Sequence, residues 1–382
     1  MEKNTTAKFL FIGGAPRSGT TLLMNLLDSH PELLIFPFEH STIERYFWNK
    51  DNIQHYALNE FISKRQEGQQ AILANKDFLN QYYQKIKKEY NKDYSLDIDS
   101  EAFLKTYVDF LKNTKVELKD ILSALMYALA RSNTFAASKY PHAKYFVFKR
   151  PYYTNLFALE VSQLIPDAKF IYISRDPFAR YTSAKMRRVK ANNLDKKTLI
   201  HVNKINFVEA HSEVDISSDS IAKKNQQNLD ASVYKVIQFE NMLKNLSEVF
   251  HGLFLWLSVS ESDCYLKPTT LGKPAIAGST FVKKEGVDGK ASDRRSEYFQ
   301  LTYWNERLLH KYYLIKGGLL HEKKPNLLIL MIAYLLPFKH EPLSHYLFKL
   351  TQIVRLIHTN TNLKTRLPEG VKKKKYFMSG TV

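Results

Sequence analysis

An eight-residue stretch near the start of the chain, Gly14-Ala15-Pro16-Arg17-Ser18-Gly19-Thr20-Thr21, has the composition of a loop that binds phosphate. It follows an apolar run at residues 9–12, which predicts a β-strand, and it precedes a leucine-rich segment that predicts a helix. Glycines permit backbone conformations that other residues resist, and the N-terminus of a helix favours an anion. The residues that we expect to contact a phosphate group are Pro16, Arg17, Ser18, Gly19, Thr20 and Thr21.

This loop departs at one position from the Gly-x-x-x-x-Gly-Lys-[Ser/Thr] loop of nucleoside-triphosphate hydrolases. Thr20 stands where those proteins carry the lysine that binds the β- and γ-phosphates, and Arg17 places a cation inside the loop instead. No hydrophobic strand that ends in a metal-binding aspartate is evident. A nucleotide kinase or NTPase with a degenerate loop is therefore an alternative, and a phosphate loop of another enzyme class is the prediction.

A second candidate phosphate site lies at residues 175–183, Arg-Asp-Pro-Phe-Ala-Arg-Tyr-Thr-Ser. The apolar residues before it predict a strand that ends at Arg175, and Ser183 falls one or two turns into the next predicted helix. An arginine can form charge-assisted bidentate bonds to a phosphate, and a serine can add a hydroxyl. A helix start with Asp176 as N-cap is the structural alternative, and Arg180 is expected to be surface charge.

The first motif, Gly-x-Pro-Arg-Ser-Gly-Thr-Thr, resembles the 5′-phosphosulfate loop of the sulfotransferase superfamily, above all that of tyrosylprotein sulfotransferases and related bacterial enzymes. The resemblance continues through Leu-Leu-Asp-Ser-His-Pro at residues 26–31. It implies 3′-phosphoadenosine-5′-phosphosulfate (PAPS) as co-substrate, no metal, and transfer of a sulfuryl group to an acceptor hydroxyl. It also implies that Arg17 faces the leaving 5′-phosphate, and that Arg175 and Ser183 hold the 3′-phosphate.

The resemblance further suggests which groups carry out the chemistry. Glu39 follows the His-Pro pair near the position where tyrosylprotein sulfotransferases carry a catalytic glutamate, although the register requires one inserted residue. His40 is the rival base, because an unperturbed imidazole titrates near neutral pH. Lys149 ends a predicted strand and resembles the lysine of the family's Lys-x-Pro element, which stabilises the transferring sulfate.

A late segment rich in Gly, Pro, Lys and Ser, residues 267–295, is predicted to be a long functional loop. It resembles the segment with which the family covers PAPS. Ser279 and Lys283 are the residues that this resemblance assigns to the nucleotide.

Strands that alternate with helices predict an α/β fold, with a P-loop-type parallel sheet flanked by helices. We expect residues 1–300 to form the sulfotransferase domain, with a helical insertion at about 41–135. Residues 301–382 are expected to form a helical extension that packs on it and ends in a basic tail. Residues 153–164 predict one helix, and residues 233–239 predict a strand.

Composition limits the class of protein. The chain has 382 residues, of which 44% are hydrophobic, so it can bury a large core. Its single cysteine, Cys264, excludes an intramolecular disulfide and a cysteine-based zinc site. The longest later apolar run, residues 327–338, is shorter than the roughly 20 residues that span a bilayer. We expect a cytoplasmic protein, with peripheral contact at the inner membrane face as a further option.

The formal net charge of +18 bounds the partners. No nucleic-acid-binding module is evident, so nucleic acid is not expected, whereas a non-catalytic binder of anionic polymers or membranes is a second alternative. Because residues 41–135 and those beyond about 300 match no pattern, the acceptor follows only from family analogy and the basic surface. A hydroxyl of a glycan or glycolipid comes first. A peptide tyrosine comes second, because we expect no secretory anchor of the kind that enzymes of that class carry.

Overall fold

The structure is a computed structural model, and it describes residues 6–39, 42–48, 95–112, 116–191, 205–275, 282–283, 286–287, 294–302 and 304–335. These residues fall into two compact units. The first contains the described residues up to Ser183 and those from Ser217 to Arg295, and the second contains those of Ala184–Ile216 and those from Ser296 onward. The expected domain boundary at residue 300 stays a prediction.

A five-stranded parallel sheet forms the centre of the first unit. Its strands are β1 (Lys8–Gly14), β2 (Leu33–Glu39), β3 (Tyr145–Lys149), β4 (Lys169–Ser174) and β5 (Tyr234–Gln238). They lie in the order β2-β3-β1-β4-β5, and each neighbouring pair is parallel. The predicted α/β fold with a parallel sheet is confirmed.

Helices connect these strands and continue after them. Those of the first part of the chain are α1 (Thr20–Leu27), α2 (Thr42–Trp48), α3 (Ser100–Leu111), α4 (Leu118–Ser132), α5 (Thr134–Lys139), α6 (Pro151–Leu156), α7 (Ala158–Leu164) and α8 (Pro177–Ala191). Those of the second part are α9 (Ile205–Asn228), α10 (Phe239–Lys244), α11 (Leu246–Leu257), α12 (Arg294–Leu301), α13 (Trp304–Lys316) and α14 (Leu327–Leu335). The remaining described elements are short. They are 3-10 turns at Tyr140–His142 and Cys264–Leu266, and two-residue strands at Thr269–Thr270, Lys273–Pro274, Val282–Lys283 and Gly286–Val287. No helix among the described residues is both long and apolar enough to cross a membrane.

The strands are apolar almost throughout because both faces of the sheet are covered. Side chains alternate between the two faces along a strand, so Phe9 and Phe11 of β1 join one core while Leu10 and Ile12 join the other. The first core includes residues of α3 and α4, and the second includes residues of α1 and α11. Rings pack closely in the first core, where the centroids of Phe11 and Phe170 are 5.4 Å apart.

Two local expectations are corrected. Strand β2 was not predicted, although its first residues are apolar; Pro37 lacks a backbone N–H, which a strand tolerates at an edge position such as this one. The single helix expected at residues 153–164 is divided at Phe157, whose backbone leaves the helical region at φ −105° and ψ 15°. The ring of Phe157 stacks on Phe47 of α2 at 4.8 Å, which holds it in this position.

The second unit also contains buried residues. Leu309 and Leu314 of α13 are fully buried. Lys185 and Glu306 form an ion pair in which both side chains are fully buried, and Lys185 also donates a hydrogen bond to the carbonyl oxygen of Leu301. Burial lowers the pKa of Lys185, while Glu306 opposes that shift.

Candidate functional site

The carboxyl ends of parallel strands meet at one edge of a sheet, and this edge is where ligands bind in open α/β folds. The predicted site residues lie along it in the order of the strands. Glu39 ends β2 and Lys149 ends β3, the glycine-rich loop leaves β1 at Gly14, and Arg175 directly follows β4. The fold therefore collects on one edge residues that are far apart in the sequence.

The loop between β1 and α1 requires unusual backbone conformations. Gly19 has φ +98°, and a Cβ atom at this position would lie 2.3 Å from the ring of Phe239. Gly19 is also the N-cap of α1, where it offers no side chain to the first amide groups, and the first turn of α1 contains no acidic residue. The first N–H groups of a helix have no partner within it, so the N-terminus of α1 suits an anionic ligand.

The two sequence motifs come together across 166 residues. Arg17 Nε donates a hydrogen bond of 3.2 Å to Ser183 Oγ, and Arg175 Nη1 donates one of 2.8 Å to the carbonyl oxygen of Arg17. The guanidinium carbon of Arg175 lies 4.3 Å from the centre of the Phe239 ring. Two cations and a hydroxyl thus converge beside the loop, while the phosphate groups assigned to them stay predictions.

The remaining loop residues differ in what they contact. The N–H of Ser18 donates to the carbonyl oxygen of Ala15 at 3.1 Å and closes a tight turn. Ser18 Oγ is buried, and no described residue gives it a hydrogen-bond partner. Thr20 is buried, Pro16 is half-buried, and Thr21 Oγ1 accepts a hydrogen bond of 2.8 Å from Lys149 Nζ.

Glu39 and Lys149 form an ion pair at the ends of neighbouring strands. Their Cα atoms are paired in register, and Lys149 Nζ lies 2.7 Å from Glu39 Oε1. The side chain of Lys149 is 5% exposed and that of Glu39 is 43% exposed, so solvent reaches the carboxylate but barely reaches the ammonium group. Lys149 therefore links the predicted base to Thr21 of the phosphate loop.

Sequence reasoning missed two residues next to this pair. Arg150 Nη1 lies 3.8 Å from Glu39 Oε2, and Arg150 Nη2 lies 2.7 Å from Oε1 of Glu44 in α2. Glu44 is buried, and burial raises its pKa, while the charge of Arg150 opposes that shift. The direct adjacency of Arg150 to Lys149 was an available signal; the burial of Glu44 has no sequence signal that we can identify.

Three predicted site residues receive little or no structural description. His40 and Ser279 lie outside the described residues. Lys283 lies in a short strand that pairs antiparallel with residues 286–287, and its side chain lies outside the description. The roles of these three residues stay predictions.

The start of the predicted late loop lies at the far end of α1 from the phosphate loop. Asp28, just after α1, accepts hydrogen bonds from Thr269 Oγ1 at 2.8 Å and from the N–H of Gly272 at 2.9 Å. Lys273 is ion-paired with Asp97. An eight-residue helix is about 12 Å long, so this hairpin braces α1 at the end away from the phosphate loop.

Arg180 is buried, and the expectation that it is surface charge is wrong. Its side chain is 1% exposed and its Nη2 lies 2.9 Å from Oδ2 of Asp219. Tyr172 on β4 donates a hydrogen bond of 2.6 Å to the same carboxylate. The carboxylate of Asp219 compensates the positive charge of Arg180, which makes the burial of this arginine possible, because a buried charge requires a partner.

The helix that carries Ser183 starts in a defined way. Asp176 Oδ1 accepts a hydrogen bond of 2.9 Å from the N–H of Ala179, as expected of an N-cap. The N–H of Asp176 donates to Oε1 of Glu240 at 3.1 Å. These contacts fix the turn after Arg175 and confirm that the motif starts a helix with Asp176 as N-cap, while the assignment of Arg175 to a phosphate stays a prediction.

A family model described as the Sulfotransferase family matches residues 10–263. This match includes β2 to β5, most of β1 and both predicted phosphate motifs. The chain therefore belongs to the sulfotransferase family, and the predicted membership is confirmed.

Individual relatives match this chain either at low sequence identity or over a short segment. Protein-tyrosine sulfotransferase A of Caenorhabditis elegans is 63% identical over 30 residues, which is 8% of each chain. The sulfotransferase domain from the curacin biosynthetic pathway has a TM-score of 0.50 and 17% identity, and covers 84% of this chain and 99% of that one. The sulfotransferase domain of the Synechococcus PCC 7002 olefin synthase has a TM-score of 0.47 and 17% identity, and covers 81% and 96%. At this identity, the curacin likeness shows the fold alone.

Proposed function

We propose that this chain transfers a sulfuryl group from PAPS to a hydroxyl group of a carbohydrate or glycolipid. The convergence of Arg17, Arg175 and Ser183 beside the phosphate loop carries the donor half of this proposal. A nucleotide with phosphates at both its 3′ and 5′ positions needs two cationic sites, whereas ATP has no phosphate on its 3′ oxygen. Membership of the sulfotransferase family supports the same donor.

The residues of the loop fit such a donor. The buried Oγ of Ser18 has no hydrogen-bond partner among the described residues, so a phosphate oxygen would satisfy it. Arg17 and the N-terminus of α1 supply positive charge at the 5′ side, and Arg175 with Ser183 supplies a guanidinium and a hydroxyl at the 3′ side. When bound, PAPS supplies the sulfuryl group and leaves as 3′-phosphoadenosine-5′-phosphate (PAP).

Glu39 and Lys149 would have different roles in the transfer of the sulfuryl group to the acceptor. Sulfuryl transfer resembles phosphoryl transfer, in which positioning and charge stabilisation supply most of the rate enhancement. Glu39, which solvent reaches, would accept the proton of the acceptor hydroxyl. The buried Lys149, held between Glu39 and Thr21, would stabilise negative charge on the transferring group.

An exposed tryptophan, linked to Glu39 through Tyr153 and Arg150, supports a sugar acceptor. Trp48 at the end of α2 is 58% exposed, and its ring lies edge-on to that of Tyr153 at 5.6 Å. Arg150, which faces Glu39, lies 5.2 Å from the centre of the Tyr153 ring. The flat face of an exposed indole attracts the C–H groups of a sugar ring, because aromatic faces carry partial negative charge.

A peptide tyrosine is the second candidate acceptor. The 63% identity over 30 residues with a protein-tyrosine sulfotransferase favours it, and a phenol ring can also stack on Trp48. The two acceptors differ in their hydroxyl groups, since a phenol loses its proton far more readily than a sugar alcohol.

Transfer of radiolabelled sulfate from PAPS separates these possibilities. The purified full chain would be offered neutral oligosaccharides, a glycolipid in detergent and a tyrosine-containing acidic peptide. We expect labelled glycan or glycolipid, and a raised KM for that acceptor in Trp48→Ala but not in Trp304→Ala, a control tryptophan that is 48% exposed in the second unit. Labelling of the peptide alone would overturn the sugar proposal, and no transfer to any acceptor would count against the activity itself.

A further inference from the structure

Glu44 and Arg150 form an anchored pair behind the predicted base. Glu44 lies in the first turn of α2, and its side chain is 2% exposed. Its Oε1 accepts a hydrogen bond of 2.7 Å from Nε of Arg150, and it also lies 2.7 Å from Nη2 of the same ion-paired guanidinium. Charge-assisted bonds of this length are among the strong ones in proteins, so Glu44 fixes where the guanidinium of Arg150 lies.

The same guanidinium faces Glu39 without bonding to it directly. Arg150 Nη1 is 3.8 Å from Glu39 Oε2, which exceeds the usual range of about 2.7–3.2 Å for an N–H···O hydrogen bond. By contrast, Lys149 Nζ is 2.7 Å from Glu39 Oε1. The two cations next to Glu39 are therefore held differently, one in contact with it and one at a distance.

We propose that Glu44 is a positioning residue that keeps Arg150 from closing onto Glu39. An arginine in direct contact with Glu39 would stabilise the charged carboxylate and so weaken it as a base. The charge of Glu44 prevents this because it offers Arg150 a stronger, buried partner. This inference rests on the proposed function, in which Glu39 accepts the acceptor's proton.

Three variants test the proposal: Glu44→Gln, Arg150→Met and the double variant. In Glu44→Gln the anchor loses its charge, and kcat should fall about tenfold, less than the roughly 10²–10⁴-fold of a complete general-base effect, with PAP affinity within about twofold of normal. In the double variant no arginine remains to close onto Glu39, so kcat should return to within about threefold of the unaltered chain. Arg150→Met alone should also keep kcat within about threefold.

Glu32→Gln is the matched control. Glu32 directly precedes β2, at the amino edge of the sheet, and is ion-paired with Lys144 at 2.6 Å, so its loss removes a carboxylate without touching the site. Acceptor KM, kcat, PAP binding by calorimetry and thermal unfolding would be measured for every variant.

The outcomes separate this inference from the proposed function. A Glu44→Gln variant with unchanged kcat would overturn the inference. So would a double variant as slow as Glu44→Gln, since that loss reflects a structural role. If Glu44→Gln does not fold, the kcat of Arg150→Met tests the inference instead. A tenfold loss of kcat in that variant would mean that Arg150 is itself required, and it would overturn the inference. Failure of the unaltered chain to bind PAP or transfer sulfate would instead remove the proposed function on which the inference depends.

Discussion

At the scale of single residues, the site is built from charged side chains that hold one another in place. Lys149 bonds to both Glu39 and Thr21, and Arg17 bonds to Ser183. Glu39 and Lys149 end their strands, while Arg17, Thr21 and Ser183 lie in the loop or helix that follows β1 or β4, so the sheet sets their spacing. Removal of one side chain should therefore change one function and leave the sheet intact.

Glu39→Gln should abolish sulfuryl transfer and leave nucleotide binding unchanged. The amide keeps the shape of the side chain but cannot accept the acceptor's proton, so we expect kcat to fall by about 10²–10⁴-fold. PAP affinity measured by calorimetry should stay within about twofold of normal, because Glu39 ends the edge strand β2, and β3 lies between that strand and β1, which leads into the phosphate loop. Normal turnover in this variant would transfer the role of base to His40 or another group.

Arg175→Ala should weaken binding of PAP more than binding of ADP. The guanidinium stacks on Phe239 and is assigned to the 3′-phosphate, which only PAP carries. Loss of a hydrogen bond to a charged group costs about 1.5–3 kcal/mol, or roughly 10- to 150-fold in affinity. Arg131→Ala, an exposed arginine on α4, is the control. An equal loss of affinity for both nucleotides would contradict the assignment of Arg175 to the 3′-phosphate.

At the scale of elements, the turn between β1 and α1 limits what residue 19 can be. In Gly19→Ala the new Cβ would meet the Phe239 ring at 2.3 Å, and the residue would be strained at φ +98°. We expect a loss of PAP affinity of at least about tenfold, because the loop must shift; strain at positive φ alone costs about 1–2 kcal/mol. Gly252→Ala, in helix α11 with open space around it, should instead stabilise the fold by about 0.5–1 kcal/mol. Unchanged PAP affinity in Gly19→Ala would show that the loop is not the nucleotide site.

The buried lysine at the end of α5 should make stability depend on pH. Burial lowers the pKa of Lys139 to about 8, while Asp28 and Cys264 oppose the shift. Between pH 8 and the ordinary lysine pKa of 10.5, the unfolded chain binds more protons, so the free energy of unfolding should rise with pH. The full shift corresponds to about 3 kcal/mol, of which about 1–2 kcal/mol should appear between pH 8 and pH 9.5.

Urea unfolding of the unaltered chain and of Lys139→Met at these two pH values measures this effect. The variant should lack the rise. The difference between the two proteins isolates Lys139 from Cys264, whose pKa burial raises to about 11 and which both proteins contain. Equal pH dependence in both proteins would mean that Lys139 is not buried as a charged group.

The patterns of apolar residues along the sequence predicted most strands of the sheet, but they did not predict which strands are neighbours. Strands β1, β3, β4 and β5 are short apolar runs bounded by turn signals, so they could be read from the sequence. Strand β2 could not, because Pro37 interrupts its pattern and its partner β3 lies over 100 residues later. Strand order depends on contacts far apart in sequence, so the ion pair between Glu39 and Lys149 could not be predicted from spacing. The burial of Arg180 was missed because its partner, Asp219, is 39 residues away.

At the scale of the whole molecule, a net charge of +18 would attract any anion, so affinity for polyanions alone is weak evidence of function. Attraction by exposed charges falls as salt is added, because salt screens them over about 10 Å at 0.1 M. A built nucleotide site discriminates between ligands of similar charge. Selectivity therefore tests the account better than affinity does.

The most direct measurement is calorimetric titration of the purified full chain with PAP, with ADP and with ATP plus magnesium, at 0.15 M salt. The account predicts that PAP binds at least about tenfold more tightly than ADP, since the 3′-phosphate gains charge-assisted bonds to Arg175 and its neighbours. It also predicts that ATP with magnesium binds no better than ADP. Tight binding of ATP with magnesium and no preference for PAP would contradict the central claim and favour a nucleotide kinase or NTPase. If none of the three nucleotides binds, that result would also contradict the central claim, and it would favour a non-catalytic binder of anions.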